Sequence, residues 1–235
     1  CDHADFGYAL FCDGIMAIIL SNFGLKDLFV GTTAISKVYH GVTQIWPVTV
    51  TNLCKYSEQL DHAEWASLSS GVSVVANATI APDGNVTADE IIESATTGPH
   101  YRRQGISGIS PSTQYTYSVY LKANSRNAAL MSISTNNSGS GLEFIHVNLA
   151  NGTITNINTT DGDYGITPVG NGWYRVWIRN TMNATASSLD VRVYPYHSTT
   201  YSGINYAGNG VSSIYAWGAQ VEQRAYAEKY QVRTA

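Results

Sequence analysis

The sequence predicts an all-β protein: an antiparallel β-sandwich behind a small, irregular N-terminal module that contains a β-hairpin. Three observations carry the prediction. Apolar and polar side chains alternate with period two over several stretches, turn-forming clusters separate those stretches, and the composition is wrong for helices. Charged residues make up 13% of the chain and sixteen Tyr outnumber five Phe, whereas amphipathic helices draw on many Glu, Lys, Leu and Ala.

Side chains two apart in a strand share a face, so each stretch has an assignable inside and outside. In "YTYSVYLKA" the apolar set is Tyr115, Tyr117, Val119 and Leu121, leaving Thr116, Ser118, Tyr120 and Lys122 opposite. "LEFIHVNLA" turns Ile145, Val147 and Leu149 inward and Phe144, His146 and Asn148 outward. "NGWYRVWIRN" places Tyr174, Val176 and Ile178 inside, opposite Trp173, Arg175, Trp177 and Arg179. "LDVRVYPY" places Leu189, Val191 and Val193 inside, opposite Asp190, Arg192, Tyr194 and Tyr196. Between such stretches stand "PDGN" at 82–85, "ISPST" at 109–113, "NNSGSG" at 136–141, "NGT" at 151–153 and "GNG" at 170–172, which fit short turns between antiparallel strands.

Residues 1–47 read differently. Glycines at 7, 14, 24, 31 and 41 separate short apolar bursts, and "ISKVYHGVTQIWP" at 35–47 alternates, turns at Gly41, alternates again and stops at Pro47. After Pro47 the alternation becomes regular, with "VTVTNLCKYS" expected to open the strand series. The domain boundary falls at roughly 47 to 50, giving a module at 1–47 and a sandwich at 48–235. Met16 heads a plausible start, so residues 1–15 read as an extension ahead of it.

Net charge is −4, and no run of Lys or Arg exceeds the pair Arg102-Arg103, which argues against a nucleic-acid partner. "GIMAIIL" at 14–20 is about a third of a membrane span. Preceded by Asp2, Asp5 and Asp13, it lacks the basic flank of a signal peptide. Three cysteines, Cys1, Cys12 and Cys54, are too few for a disulfide framework and read as free thiols or one pair.

No nucleophile elbow, zinc-protease, phosphate-loop or dinucleotide motif occurs. Cys1, His3 and Cys12 resemble a zinc set but lack a fourth ligand. "DGDYG" at 161–165 has some calcium-loop character without the rest of an EF-hand and reads as a turn. Carboxylates are scattered and the turns short, so a glycosidase pair across a cleft is not expected. The chain reads as non-catalytic. Six Asn-x-Ser/Thr triplets read as by-products of composition.

The informative exterior set is Tyr120, His146, Asn148, Arg175, Trp177, Arg192 and Tyr194. Aromatic faces stack on sugar rings, and Arg, Asn and His hydrogen-bond hydroxyls and carboxylates. The same residues would equally serve to pack against a neighbouring subunit, or as plain surface with Arg stems over aromatics.

From about residue 52 to 230 the sequence resembles the carbohydrate-binding-module-like, galactose-binding-type jelly rolls of tailed-bacteriophage structural proteins. The matching stretches are "NLCKYSEQLDHAEW", "ANATIAPDGNVTADEIIES", "YTYSVYLKA", "VGNGWYRVWI" and "YAWGAQVEQRAYAEKY". The resemblance implies a non-catalytic virion module of a tail fibre, tail spike or head appendage that touches host-surface polysaccharide. It gives Trp173 and Trp217, inside the shared motifs, a role in the fold, and nominates Glu58 and Glu222 for a structural calcium. "GTTAISKVYHGVTQIWP" resembles short segments near the N-termini of phage virion proteins, with His40 where those carry an aliphatic residue. A hairpin of this size is not stable alone, so Ile35, Val38, Tyr39, Ile45 and Trp46 are expected to dock on other virion proteins. A homotrimer assembled in the host cytoplasm, without membrane insertion, is the implied form. Two alternatives remain open: a capsid decoration or tail-assembly protein that binds no sugar, and a polysaccharide depolymerase.

Overall fold

The computed structural model describes residues 51–66, 69–135, 142–161 and 163–235, and, ahead of them, the backbone of six short strands. The chain divides into two compact units, Cys1–Thr49 and Val50–Ala235. In the first, β1 (Ala9–Cys12) pairs with β2 (Ile15–Ile18), β3 (Phe29–Val30) with β4 (Thr33–Ala34), and β5 (Val38–His40) with β6 (Thr43–Trp46), all antiparallel. The last pair is the hairpin that the alternation around Gly41 predicts. Ile35 and the side chains of Val38, Tyr39, Ile45 and Trp46 lie outside the described residues, as do those of Cys1, His3 and Cys12.

The described residues of the second unit do not open on a strand. Residues 51–62 form turns, followed by the one-turn helix α1 (Ala63–Ala66). The reason lies in Asn52, whose side chain makes the bonds that a ladder would. Its Nδ2 donates to the Ala219 and Gln231 carbonyls, each at 2.9 Å, and its Oδ1 accepts from Cys54 N at 2.9 Å and Val221 N at 3.1 Å. The side chain thus ties the segment to the strand Ser213–Glu222 and to the C-terminal segment, while the segment's backbone meets that strand at isolated points, Leu53 N to Val221 O at 2.8 Å and Ala219 N to Ser57 O at 2.9 Å, rather than through a ladder.

The strands that follow are β7 (Val72–Ile80), β8 (Val86–Glu93), β9 (Thr97–Gly98), β10 (Arg102–Ser107), β11 (Gln114–Ala123), β12 (Ala128–Thr135) and β13 (Glu143–Asn148). After them come β14 (Thr153–Asn158), β15 (Tyr164–Gly170), β16 (Trp173–Thr181), β17 (Ser188–Tyr196), β18 (Tyr206–Ala207) and β19 (Ser213–Glu222). They build a five-stranded sheet in the order β10-β17-β12-β13-β14 and a six-stranded sheet in the order β15-β16-β11-β19-β8-β7, with β9 and β18 as a separate pair. Described pairings are antiparallel throughout, so the chain forms the antiparallel β-sandwich that its alternation predicts.

The inner faces meet in one apolar cluster. Tyr115, Tyr117, Val119, Leu121, Val176 and Ile178 come from the six-stranded sheet, and Ile145, Val147, Leu189, Val191 and Val193 from the five-stranded one. All were assigned inward by period two alone, and Tyr174, also assigned inward, packs half-buried at the cluster's edge. Full burial of each aliphatic side chain stabilises by about 1.5–3 kcal/mol. Strand β19 carries a bulge opposite Ser118 and Tyr120. Gly218 fills it at φ +63°, where a Cβ would lie 2.9 Å from Tyr120 Cδ2, so only glycine permits both the left-handed turn and the ring's approach.

The phenol of Tyr117 is fully buried, and its hydroxyl has no hydrogen-bond partner among the described residues. Burial pushes its pKa well above the usual phenol value. An unsatisfied buried hydroxyl costs about 1–3 kcal/mol. Tyr117→Phe is therefore expected to stabilise the sandwich by about 1 kcal/mol, read as a higher urea midpoint at unchanged m-value; a destabilised variant would reveal a partner for the hydroxyl.

Candidate functional site

The seven exterior residues do not form one surface. Register divides them between the two outer faces: Tyr120, Arg175 and Trp177 stand on the six-stranded sheet, and His146, Asn148, Arg192 and Tyr194 on the five-stranded sheet. The second group is largely covered. The connection between β17 and β18 lays Tyr201 against Phe144 and His146, with ring centroids 4.8 and 5.9 Å apart, and places Tyr206 against Tyr196.

His146 and Tyr194 are buried, which corrects their reading as exposed contacts. His146 Nε2 donates to the Ser198 carbonyl at 3.0 Å, so its Nδ1 accepts from the Thr155 hydroxyl. Tyr194 packs on Tyr101 at 5.2 Å, and the Arg192 guanidinium lies 5.4 Å from the centre of the same Tyr101 ring. Arg192 and Arg103 share the Asp190 carboxylate at 3.5 and 2.6 Å. Asn148 Oδ1 accepts from Ala150 N at 2.9 Å and closes the turn into β14. At the end of this sheet a polar cleft of about 320 Å³ opens beside Arg126, Asn127, Tyr196, His197 and Thr199, but the Arg126 guanidinium there is already bound to Glu93.

The outer face of the six-stranded sheet divides into a covered half and an open half. Trp173 and Trp217 are nearly fully buried, and their indole N–H groups donate to Ile80 O at 3.1 Å and Thr87 Oγ1 at 3.0 Å. They thereby hold the tip of the β7–β8 hairpin across the sheet. Both tryptophans thus have the role in the fold that the shared motifs imply. Tyr230, from the C-terminal segment, sits 4.7 Å from Trp217 and 5.9 Å from Tyr120, with its hydroxyl 2.8 Å from Ser57 Oγ.

Beyond this cover the outward residues Arg175, Trp177 and Arg179 of β16 stay partly exposed. Trp177 pairs with Gly165 of β15, where an added Cβ would lie 2.5 to 2.9 Å from Nε1, Cε2 and Cζ2 of the indole. The ring therefore lies over the glycine, and its Nε1 has no partner among the described residues. Arg175 donates from Nη2 to Ser118 Oγ at 2.9 Å, and its guanidinium lies 5.6 Å from the centre of the Tyr120 ring. Arg179, next on the same face, pairs with Asp163 at 2.7 Å and Asp161 at 3.4 Å. The stretch "DGDYG" is thus a clamp for Arg179, and its final glycine is the seat of Trp177. Both roles escape sequence reading because they depend on which strand lies beside β16.

Glu58 accepts from the Tyr230 hydroxyl at 3.2 Å, and Glu222 accepts from Gln220 Nε2 and from Glu228 N at 3.1 Å. Among the described residues no group of three or more His, Cys, Asp or Glu is placed to hold a metal ion. Asp89 is the carboxyl whose titration most resembles a general acid, pushed up to about 6 by burial. Yet it is buried and accepts from Asn77 N at 3.0 Å and Asp61 N at 3.2 Å, which ties loops rather than addressing a ligand.

No protein-family model matches the chain, and no curated protein sequence does. Among solved structures it is similar to the enzymatically active domain of tailspike protein 4 of bacteriophage CBA120, at 14% identity and a TM-score of 0.45 over 72% of this chain and 21% of that one. The chain thus spans about a fifth of that structure's length. It is similar to TmCBM61 in complex with β-1,4-galactotriose, at 12% identity and a TM-score of 0.43 over 74% of this chain and 99% of that one. A third is the CBM22-2 xylan-binding domain from Paenibacillus barcinonensis Xyn10C, at 10% identity and a TM-score of 0.40 over 74% and 98%.

Burial lowers the His146 pKa from 6.5 to about 4, with the neighbouring His197 adding to the shift and the Ser198 carbonyl opposing it. Folding favours the neutral ring, so its contribution to stability is complete above pH 6.5 and is lost as pH falls toward 4. NMR titration should find this imidazole neutral at pH 6 and protonating near pH 4, and His146→Gln should flatten the loss of stability over that interval. A normal titration near 6.5 would contradict its burial.

Proposed function

We propose that the sandwich is a non-catalytic carbohydrate-binding module whose ligand lies along β16 on the outer face of the six-stranded sheet. The observation that carries this reading is Trp177: an indole laid on a glycine, with an unused N–H, beside an arginine already immobilised by Ser118 and Tyr120. A flat apolar ring beside fixed donors suits the C–H face and hydroxyls of a sugar. In the same reading, residues 1–47 attach the module to a virion, where several copies, three by resemblance, act together on host-surface polysaccharide. Support for that part is the motif "ISKVYHGVTQIWP" and the division of the chain at Thr49. Weak single sites become useful under such multivalency.

A second reading, subunit packing without sugar, is favoured by the β7 edge of the six-stranded sheet. There Val75 and Ile80, with Val86 of β8 beside them, are about half exposed or more, and an apolar sheet edge is a surface for pairing.

Two experiments separate these. Displayed multivalently on a polysaccharide array, the protein should bind, and Trp177→Ala should lose about tenfold or more in affinity, the equivalent of one stacking contact of about 1.4 kcal/mol. Gly165→Ala, which keeps every ligand-facing side chain but displaces the indole, should do the same. No binding in this format, together with a concentration-dependent oligomer broken by Val75→Lys, would favour the packing reading. Removing residues 1–47 should leave a soluble, cooperatively unfolding sandwich that no longer joins the particle, seen by sedimentation with purified virions; co-sedimentation of the truncated protein would place the attachment elsewhere.

A further inference from the structure

Four arginines of the sandwich are paired with carboxylates among the described residues. Arg103 and Arg192 share Asp190, Arg126 binds Glu93, and Arg179 faces Asp161 and Asp163. Arg175 and Lys122 differ: neither makes an ion pair among the described residues. Arg175 is held by a neutral hydroxyl and a ring, with its Nε buried and unpartnered, and Lys122 Nζ lies 5.9 Å from the centre of the Trp173 ring. In the β11–β16 register Tyr120 opposes Arg175 and Lys122 opposes Trp173, so the two cations occupy diagonal positions on one face, with Cβ atoms about 7–8 Å apart for such pairs. Trp177 is the next outward residue along β16, roughly 7 Å further on.

The carboxylates of this face are engaged elsewhere. Glu222 accepts from Gln220 and Glu228 N, and Glu90 accepts from Asn124 Nδ2 at 2.9 Å and Ser213 Oγ at 2.6 Å. Burial raises the Glu222 pKa and the nearby Arg175 charge opposes that rise, but neither Glu222 nor Glu90 forms an ion pair with Arg175 or Lys122 among the described residues, which leaves both cations accessible to an anionic ligand.

Building on the reading of this face as a glycan site, we infer that its ligand is an acidic polysaccharide of the uronic-acid type. A carboxylate lies between Arg175 and Lys122 while a neighbouring sugar ring stacks on Trp177. The guanidinium offers parallel donors that match a carboxylate, and its immobilisation by Ser118 and Tyr120 removes part of the ordering cost. A neutral glycan leaves both cations without a counter-charge and gains only hydroxyl bonds.

The test uses the full chain and a panel of uronate oligosaccharides, each paired with its carboxyl-reduced neutral counterpart of the same length, titrated at low and high sodium chloride. The acidic member of at least one pair should bind about tenfold tighter or better at low salt, and the advantage should shrink as salt rises. Arg175→Gln and Lys122→Gln should each lower affinity for the acidic member about tenfold and affinity for the neutral member by markedly less. Thermal unfolding confirms that the variants fold, and Lys122→Gln, at a half-buried stem with a free head, keeps the test valid if Arg175→Gln does not. Equal or tighter binding of the neutral members, with Trp177→Ala still abolishing it, overturns the acidic preference and leaves the glycan site standing. Absence of binding to every member overturns both.

Discussion

The sandwich depends on a single buried charge. Glu93, at the end of β8, has a side chain with no exposure, and a carboxylate in that position must be fully compensated. Arg126, in the turn between β11 and β12, supplies two guanidinium donors; Asn209 N donates at 2.9 Å and the Tyr206 hydroxyl at 2.9 Å. Burial alone would raise the Glu93 pKa, but Arg126 and these donors outweigh it and hold the group below the usual carboxylate range. One carboxylate therefore fixes a strand end, the turn that links the two sheets and the connection that follows β17.

That anchor explains the asymmetry of the two outer faces. With Tyr206 and Asn209 fastened to Glu93, the connection after β17 lies against the five-stranded sheet. Its Tyr201 and Ser198 then enclose His146 and Phe144. On the other sheet the cover consists of the β7–β8 tip and Tyr230, both fastened over Trp173, Trp217 and Tyr120. Neither reaches as far as β15, so Trp177 and Arg175 stay partly open. The open strip is thus what remains once each sheet has received its cover.

Charge follows the same geometry. Arg103 and Arg192 share Asp190 along the β10–β17 pair, Arg126 meets Glu93 at a strand end, and Arg179 meets Asp161 and Asp163 of the connection before β15. Arg175 and Lys122, at the margin of the cover on the six-stranded sheet, contact rings and a hydroxyl and make no ion pair among the described residues. Cation–π contacts of this kind contribute about 0.5–1 kcal/mol at exposed sites and leave the positive charge available.

The sequence by itself determined the sandwich and the inward set, because alternation of period two is a local property that a strand cannot escape without exposing its core face. Tyr117, Val147, Val176 and Val191 were legible for that reason, and the structural roles of Trp173 and Trp217 followed from their place in shared motifs. The irregular path of residues 51–62 was not legible, since it results from one asparagine bonding to a strand more than 160 positions away. Nor did alternation reveal which outward residues share a face or which are roofed. His146 and Trp177 look alike in the sequence, each outward in an alternating strand; one is sealed by a distant connection and the other rests on a neighbouring glycine. Strand order and the course of the covering segments are properties of long-range packing, and only the tertiary structure decided them.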